Sequence, residues 1–97
     1  MLSTKQRSIL GGLASKDAVV AHLGKGGPTQ AFAAQLSLLL EHHELVKVKF
    51  VNFKDDKQRI ADDLAIATKS EVVRIIGNTA IFYRQNPDPE KRLIVLA

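Results

Sequence analysis

Cysteine does not occur among the 97 residues of this chain, which excludes disulfides, thiolate metal sites and cysteine nucleophiles together. No apolar run approaches the roughly 18–20 residues that span a bilayer. The opening stretch, Met1 to Arg7, lacks the apolar segment of a secretion signal, so a cytoplasmic protein without membrane contact is expected. Repeats and low-complexity tracts are also missing. Of the three prolines, two fall in Asn86-Pro87-Asp88-Pro89. This is the one linker-like stretch, because proline lacks an N–H and restricts the residue before it.

What remains is an ordinary globular composition, 45% apolar with a mean hydropathy of −0.02. A chain of this length forms one domain, here 1–97, and buries about 60–65% of its unfolded surface. Fourteen Lys and Arg against ten Asp and Glu give a net charge of +4, a balance that favours an anionic partner. The excess is uneven. Residues 1–50 hold six basic and three acidic residues, and residues 51–97 hold eight and seven, so a phosphate-binding surface is sought in the first half.

Ser3 with Gln6 matches a capping box, and Ile9, Leu10 and Leu13 give an apolar stripe, predicting a helix over 3–14 that Gly11-Gly12 weakens. Ala18 to Leu23 is short, rich in Val and bounded by Asp17 and Gly24, as a strand is. Gly24-Lys25-Gly26-Gly27 is a turn. Pro28 stands where a first helical residue belongs, and Phe32, Leu36, Leu39 and Leu40 carry a second helix to about His43. Leu45 to Asn52 alternates, with Val46, Val48 and Phe50 facing one way and Lys47 and Lys49 the other. Asp55-Asp56 can cap a third helix whose buried stripe is Ile60, Ala61, Leu64 and Ala67. Glu71–Ile76 and Thr79–Arg84 are two strands joined by Gly77-Asn78, a two-residue hairpin signal. Leu93 to Leu96 either adds an edge strand or packs. The order α-β-α-β-α-β-β predicts an α/β (α+β) domain with a mixed four-stranded sheet packed with helices. Its core covers about 2–85, and 86–97 form a linker and apolar tail.

The glycine turn is the most informative segment. It leads from a strand into a helix, whose first amides lack intrahelical acceptors and lie at the positive end of the dipole. Glycines there remove side chains that hold a phosphate backbone away, Lys25 adds a cation, and Pro28 subtracts one N–H. A GXXG loop of this kind clamps nucleic-acid backbones in KH domains, although the same residues also serve as a plain tight connection. The spacing fits neither a Walker loop nor a Rossmann fingerprint. His42 and His43 diverge by about 100° on a helix and do not chelate one ion together. His22 is alone in its strand, and Asp62-Asp63 reads as a wet helix face. No catalytic constellation is present, and no metal or cofactor is expected. Lys47 and Lys49, with Lys5 and Arg7, read either as a phosphate track or as strand-edge charges that discourage aggregation.

Taken in order, the strand–Gly-Lys-Gly-Gly–helix, the stretch Leu40-Glu41-His42-His43-Glu44-Leu45-Val46-Lys47-Val48-Lys49, and the run from Val73 to Arg84 containing Ile75-Ile76-Gly77-Asn78-Thr79 resemble the CRM domain family. The likeness is greatest to its small stand-alone bacterial YhbY-type members, and it extends from Leu2 to about Arg84. The resemblance implies a fold similar to the C-terminal domain of translation initiation factor three. It also implies RNA binding without catalysis, association with ribosomal RNA of the precursor large subunit, and a role in ribosome assembly. The GxxG loop maps onto Gly24, Lys25, Gly26 and Gly27, with Thr29 beside it, and the basic surface onto Lys5, Arg7, Lys47, Lys49 and Arg84. A monomer is expected. The chain departs from the family at Gly11, where a basic residue is common, at Ser15 (histidine), at Val19 (proline) and at Pro28 (Leu or Val). Two other readings compete: a protein-interaction adaptor that docks through Leu93 to Leu96, and a phosphate-handling enzyme, which needs an acid/base pair near Lys25 that the sequence does not supply.

Overall fold

The computed structural model describes residues 2–24, 26–51 and 54–95. Helix α1 (Thr4–Asp17) begins at the expected capping box: Gln6 N–H donates to Ser3 Oγ at 3.1 Å, and Ser3 N–H to Gln6 Oε1 at 3.0 Å. It runs three residues beyond the predicted end, carrying both glycines inside it. Strand β1 (Val19–Leu23), helix α2 (Gln30–His43) and strand β2 (Leu45–Phe50) follow, then a short 3-10 turn and helix α3 (Lys57–Thr68). Strands β3 (Glu71–Ile76) and β4 (Thr79–Tyr83) form the hairpin, with Gly77 at φ +57° in the turn. Asp56 stands at the N-cap position of α3, but no cap bond forms. Its carboxylate lies instead 3.4 Å from Arg59.

The sheet order is β1-β2-β4-β3, with β1 and β2 parallel and the other pairs antiparallel. Its first face is covered by α2 and α3. There Ala21, Leu23, Val46, Val48, Phe50, Ala80 and Phe82 meet Leu36, Leu40, Ile60, Ala61 and Leu64 in the main core. The α3 stripe continues to Ala65 and Thr68, while Ala67 is exposed. On the second face α1 is the one helix, with Leu2, Ala18 and Ile94 packed at its edges. Leu10 and Ala14 pack on Leu45, Val73, Ile81 and Tyr83. The stripe predicted for α1 is corrected accordingly: Ile9 and Leu13 are 38% and 41% exposed, and the helix rests on the sheet through Leu10, Gly11 and Ala14. Small residues at 11 and 14 let the helix axis approach the strands.

The expected linker and tail are tied down at one point. Glu44 ends α2 at φ 59° with no exposed surface. Its carboxylate accepts the N–H groups of Asn86 at 2.6 Å, Leu93 at 2.6 Å and Ile94 at 3.0 Å. Its main-chain oxygen also accepts from Arg84 N–H at 2.9 Å. Buried carboxylates persist only when their oxygens are satisfied in this way. Residues 93–95 form no strand; Ile94 packs against the second core, and Leu93 and Val95 are exposed. Asn52 and Leu96, the outer limits predicted for β2 and the tail, lie outside the described residues.

The Tyr83 ring is buried beneath α1, and its hydroxyl has no hydrogen-bond partner among the described residues. Desolvation pushes its pKa up from 10.0. The Glu44 carboxylate adds to the rise, and Arg92 opposes it.

Two outcomes are expected. Glu44→Gln turns an acceptor into a donor facing main-chain N–H groups, and a urea titration should show a loss of about 1–3 kcal/mol. Because the unfolded chain releases the phenol proton first, stability should hold up to about pH 10 and fall above it. Tyr83→Phe should abolish that alkaline fall and cost little at neutral pH, as read by thermal melts across the pH range.

Candidate functional site

The chain leaves the sheet at Leu23, whose oxygen accepts Val51 N–H at 2.9 Å. Gly27 N–H then donates to Gly24 O at 3.1 Å, closing a tight turn, and Gly27 takes φ +70°, a conformation that favours glycine. Thr29 N–H donates to Gly27 O at 2.9 Å, and Thr29 Oγ1 accepts from Phe32 N–H at 3.1 Å as the N-cap of α2. Pro28 is therefore not the first helical residue, as expected from the sequence. The cap hydroxyl is one position later, so the helix begins at Gln30 and proline's missing N–H is not one of its own. The N–H groups of Gln30 and Ala31 have no intrahelical acceptor and lie at the positive end of the dipole. Both residues are exposed, as are Gly26, Pro28 and Thr29.

Gly24 and Gly26 differ from Gly27. At either position an added Cβ would meet nothing within 4 Å, and neither carries a positive φ. Internal packing does not require glycine there. Lys25, the expected cation of the turn, lies outside the described residues.

Beside this corner, part of the second sheet face is left uncovered by α1. The register places His22, Lys49, Thr79 and Ile76 in one row across the four strands, and Val20, Lys47, Ile81 and Arg74 in the next. Val20, His22, Lys47, Lys49 and Thr79 line a shallow concavity of about 340 Å³. Leu45, on the same face of β2, is buried, whereas Lys47 is half-buried and Lys49 exposed; the edge of α1 falls between them. The four strands carry one acidic residue, Glu71, at the covered end, where its Oε2 accepts Leu2 N–H at 2.9 Å. The exposed aspartates 55, 56, 62 and 63 belong to the segment and helix packed on the opposite face.

The other predicted cations lie elsewhere. Arg84 donates to Ser37 Oγ at 2.9 Å, Ser37 O at 2.7 Å and Thr68 O at 2.7 Å, joining α2 to the end of α3. Arg7 Nη1 donates to Val72 O and, at 3.0 Å, to Val73 O. Lys5 is exposed in the first turn of α1, at the end of the helix remote from β1.

Arg74 has a place that alternation alone does not give it. A register shift between Val72 and Arg74 makes Val73 an extra residue, so Val73 and Arg74 both project to the second face. Val72 and Ile75 pack toward the main core. The signal in the sequence is the doubled apolar pairs Val72-Val73 and Ile75-Ile76, which no strict alternation accommodates. His42 and His43 are exposed, and among the described residues no three His, Asp or Glu side chains gather as a metal set. Among the described residues, no helix is long and apolar enough to cross a membrane.

Comparison with known proteins gives this geometry a family. The CRS1 / YhbY (CRM) domain model matches residues 2–84. The chain belongs to the CRM domain family. Among its relatives, the RNA-binding protein of Haemophilus influenzae is 37% identical over 93 residues, covering 95% of this chain and 94% of that protein. The probable RNA-binding protein YqeI of Bacillus subtilis is 33% identical over 89 residues, with 91% and 93% covered. The solution structure of SAV1595 from Staphylococcus aureus superposes with a TM-score of 0.78 at 35% identity, covering 98% of this CRM chain and all of that one.

The Thr29 cap sets the entry of this CRM domain into α2. Thr29→Ala should cost about 1 kcal/mol in a denaturant titration, and Thr29→Ser should restore most of it.

Proposed function

We propose that the protein is a non-catalytic RNA-binding module that acts in the cytoplasm as a monomer. Its target is ribosomal RNA in the assembling large subunit. The RNA partner is supported by the CRM relatives from Haemophilus influenzae and Bacillus subtilis, named as an RNA-binding and a probable RNA-binding protein. Ribosomal RNA and the assembly role are supported by the resemblance to YhbY-type proteins.

The observation that carries the reading is a glycine corner at a helix N-terminus, exposed at Gly26, half-buried at Gly24 and buried at Gly27, next to the uncovered Lys47/Lys49 half of the sheet. Gly24 and Gly26, without side chains, let a phosphodiester approach main-chain N–H groups at the positive end of α2, with Thr29 at the same corner, Gly27 making the turn, and Lys25 adding a cation to this stretch of sequence. Lys47 and Lys49 then neutralise the phosphates that follow. Contacts of this kind position a backbone and specify no bases. No bond is made or broken in this function, and no cofactor is called for. Arg7 and Arg84 spend their donors on groups elsewhere in the fold, and their part is structural.

Gly26→Asp tests the corner, since open space around it admits the side chain and leaves folding intact. The carboxylate should weaken RNA binding by about tenfold or more, equivalent to about 1.4 kcal/mol, in a filter-binding titration. Parental affinity in this variant would remove the corner from the interface. Crosslinking in cells, followed by sequencing of the bound RNA, should recover large-subunit ribosomal RNA. Co-sedimentation that survives nuclease treatment would favour a protein adaptor instead.

A further inference from the structure

We propose that Arg74 is a phosphate-binding residue for single-stranded RNA, the third cation of the open half-sheet, seated there by a notch at Gly11. The inference rests on the RNA-binding reading above and extends its surface from β1 and β2 to the β3 edge.

Gly11 is buried in a helix whose neighbour Gly12 is exposed. What lies against it is the Arg74 side chain: a Cβ at residue 11 would stand 3.0 Å from Arg74 Nη1 and 3.2 Å from Cζ. At Gly12 the same Cβ would meet nothing within 4 Å. The missing side chain at 11 thus gives the guanidinium its resting place along α1. Arg74 is nevertheless exposed, and no carboxylate of a described residue pairs with it. A planar guanidinium resting against the helix, still exposed to solvent and without a paired carboxylate among the described residues, suits bidentate binding of a phosphate.

The backbone beneath is arranged for the same end. The extra residue at Val73 turns Arg74 to the second face, and Arg7 holds that irregularity by donating to both Val72 O and Val73 O. One arginine is used internally to aim another outward. Arg74 is level with Lys47, two strands away, which is about 10 Å. Lys49 lies about 7 Å further along β2. A patch of that size follows one backbone. Among the described residues no phenylalanine or tyrosine ring lies open on it, because Phe50 and Phe82 are in the main core and Tyr83 is beneath α1, which leaves His22 as the one exposed ring of the rows. Recognition here therefore rests chiefly on charge spacing, with three cations to one exposed ring.

The test is a salt titration of binding to labelled oligouridine and oligoadenosine by the parent protein, Arg74→Gln, Arg74→Lys and Gly26→Asp. Arg74→Gln should weaken both ligands alike and make the slope of log K against log[salt] shallower by about 0.7. Arg74→Lys should keep the parental slope, and thermal melts should show both variants folded. If the parent binds and Gly26→Asp weakens it while Arg74→Gln keeps the parental slope and affinity, the Arg74 assignment is overturned and the RNA-binding reading stands. A parent that binds neither ligand overturns both.

Discussion

The architecture turns on a mismatch of areas: two sheet faces are covered by three helices, and the second face receives only one. A 14-residue helix is about 21 Å long and conceals half of that face. Along β2 the sequence records the limit, passing from Leu45, buried under α1, through half-buried Lys47 to exposed Lys49. The main core between the sheet, α2 and α3 is a closed apolar unit that needs nothing more from the second face. Fold stability and the proposed interface can therefore occupy opposite halves of one strand pair without competing. Four of the ten acidic residues, Asp55, Asp56, Asp62 and Asp63, lie on the α3 segment behind the sheet. The two open strand rows carry none, so their cations are not offset within those rows.

Glycine serves three separate purposes in this small domain. Gly27 and Gly77 adopt positive φ where the chain reverses direction. Gly11 is in ordinary helix and gives up its side chain to a neighbour's guanidinium. Gly24 and Gly26 answer to neither demand, which is why they bear on function: space left open on the outside of a protein is available to whatever arrives there. The departure at Gly11 from the family's basic residue also takes on a physical meaning, since a cation reaches that place from β3 instead of from α1.

Element order, the mixed sheet, the hairpin and the capping box were all legible in the residues, because each rests on local chemistry with a short period. The burial of α1 was not. Ile9 and Leu13 are larger than Gly11 and Ala14, and hydrophobicity alone favoured them, whereas the close approach of helix to sheet favoured the small pair. Pro28 was misplaced by one turn signal outweighing another, since Thr29 is the stronger cap. Lys47 and Lys49 were found by alternation and lie together. Arg74 escaped because a single inserted residue reverses strand parity, and only pairing with β4 reveals it. Arg7 and Arg84 read as surface cations because sequence does not show which main-chain oxygens fold back upon them.

Glu44 sits near the middle of the chain, yet the three N–H groups that satisfy its carboxylate come from 42 to 50 residues downstream. During synthesis, which proceeds from the N-terminus, α1, α2 and the parallel strand pair emerge long before those donors exist. Until residues 86–94 exist, that carboxylate lacks these protein donors and has water in their place. The α2–β2 junction is thus completed by a segment made well after it, and one charge near the middle of the fold ties the two together.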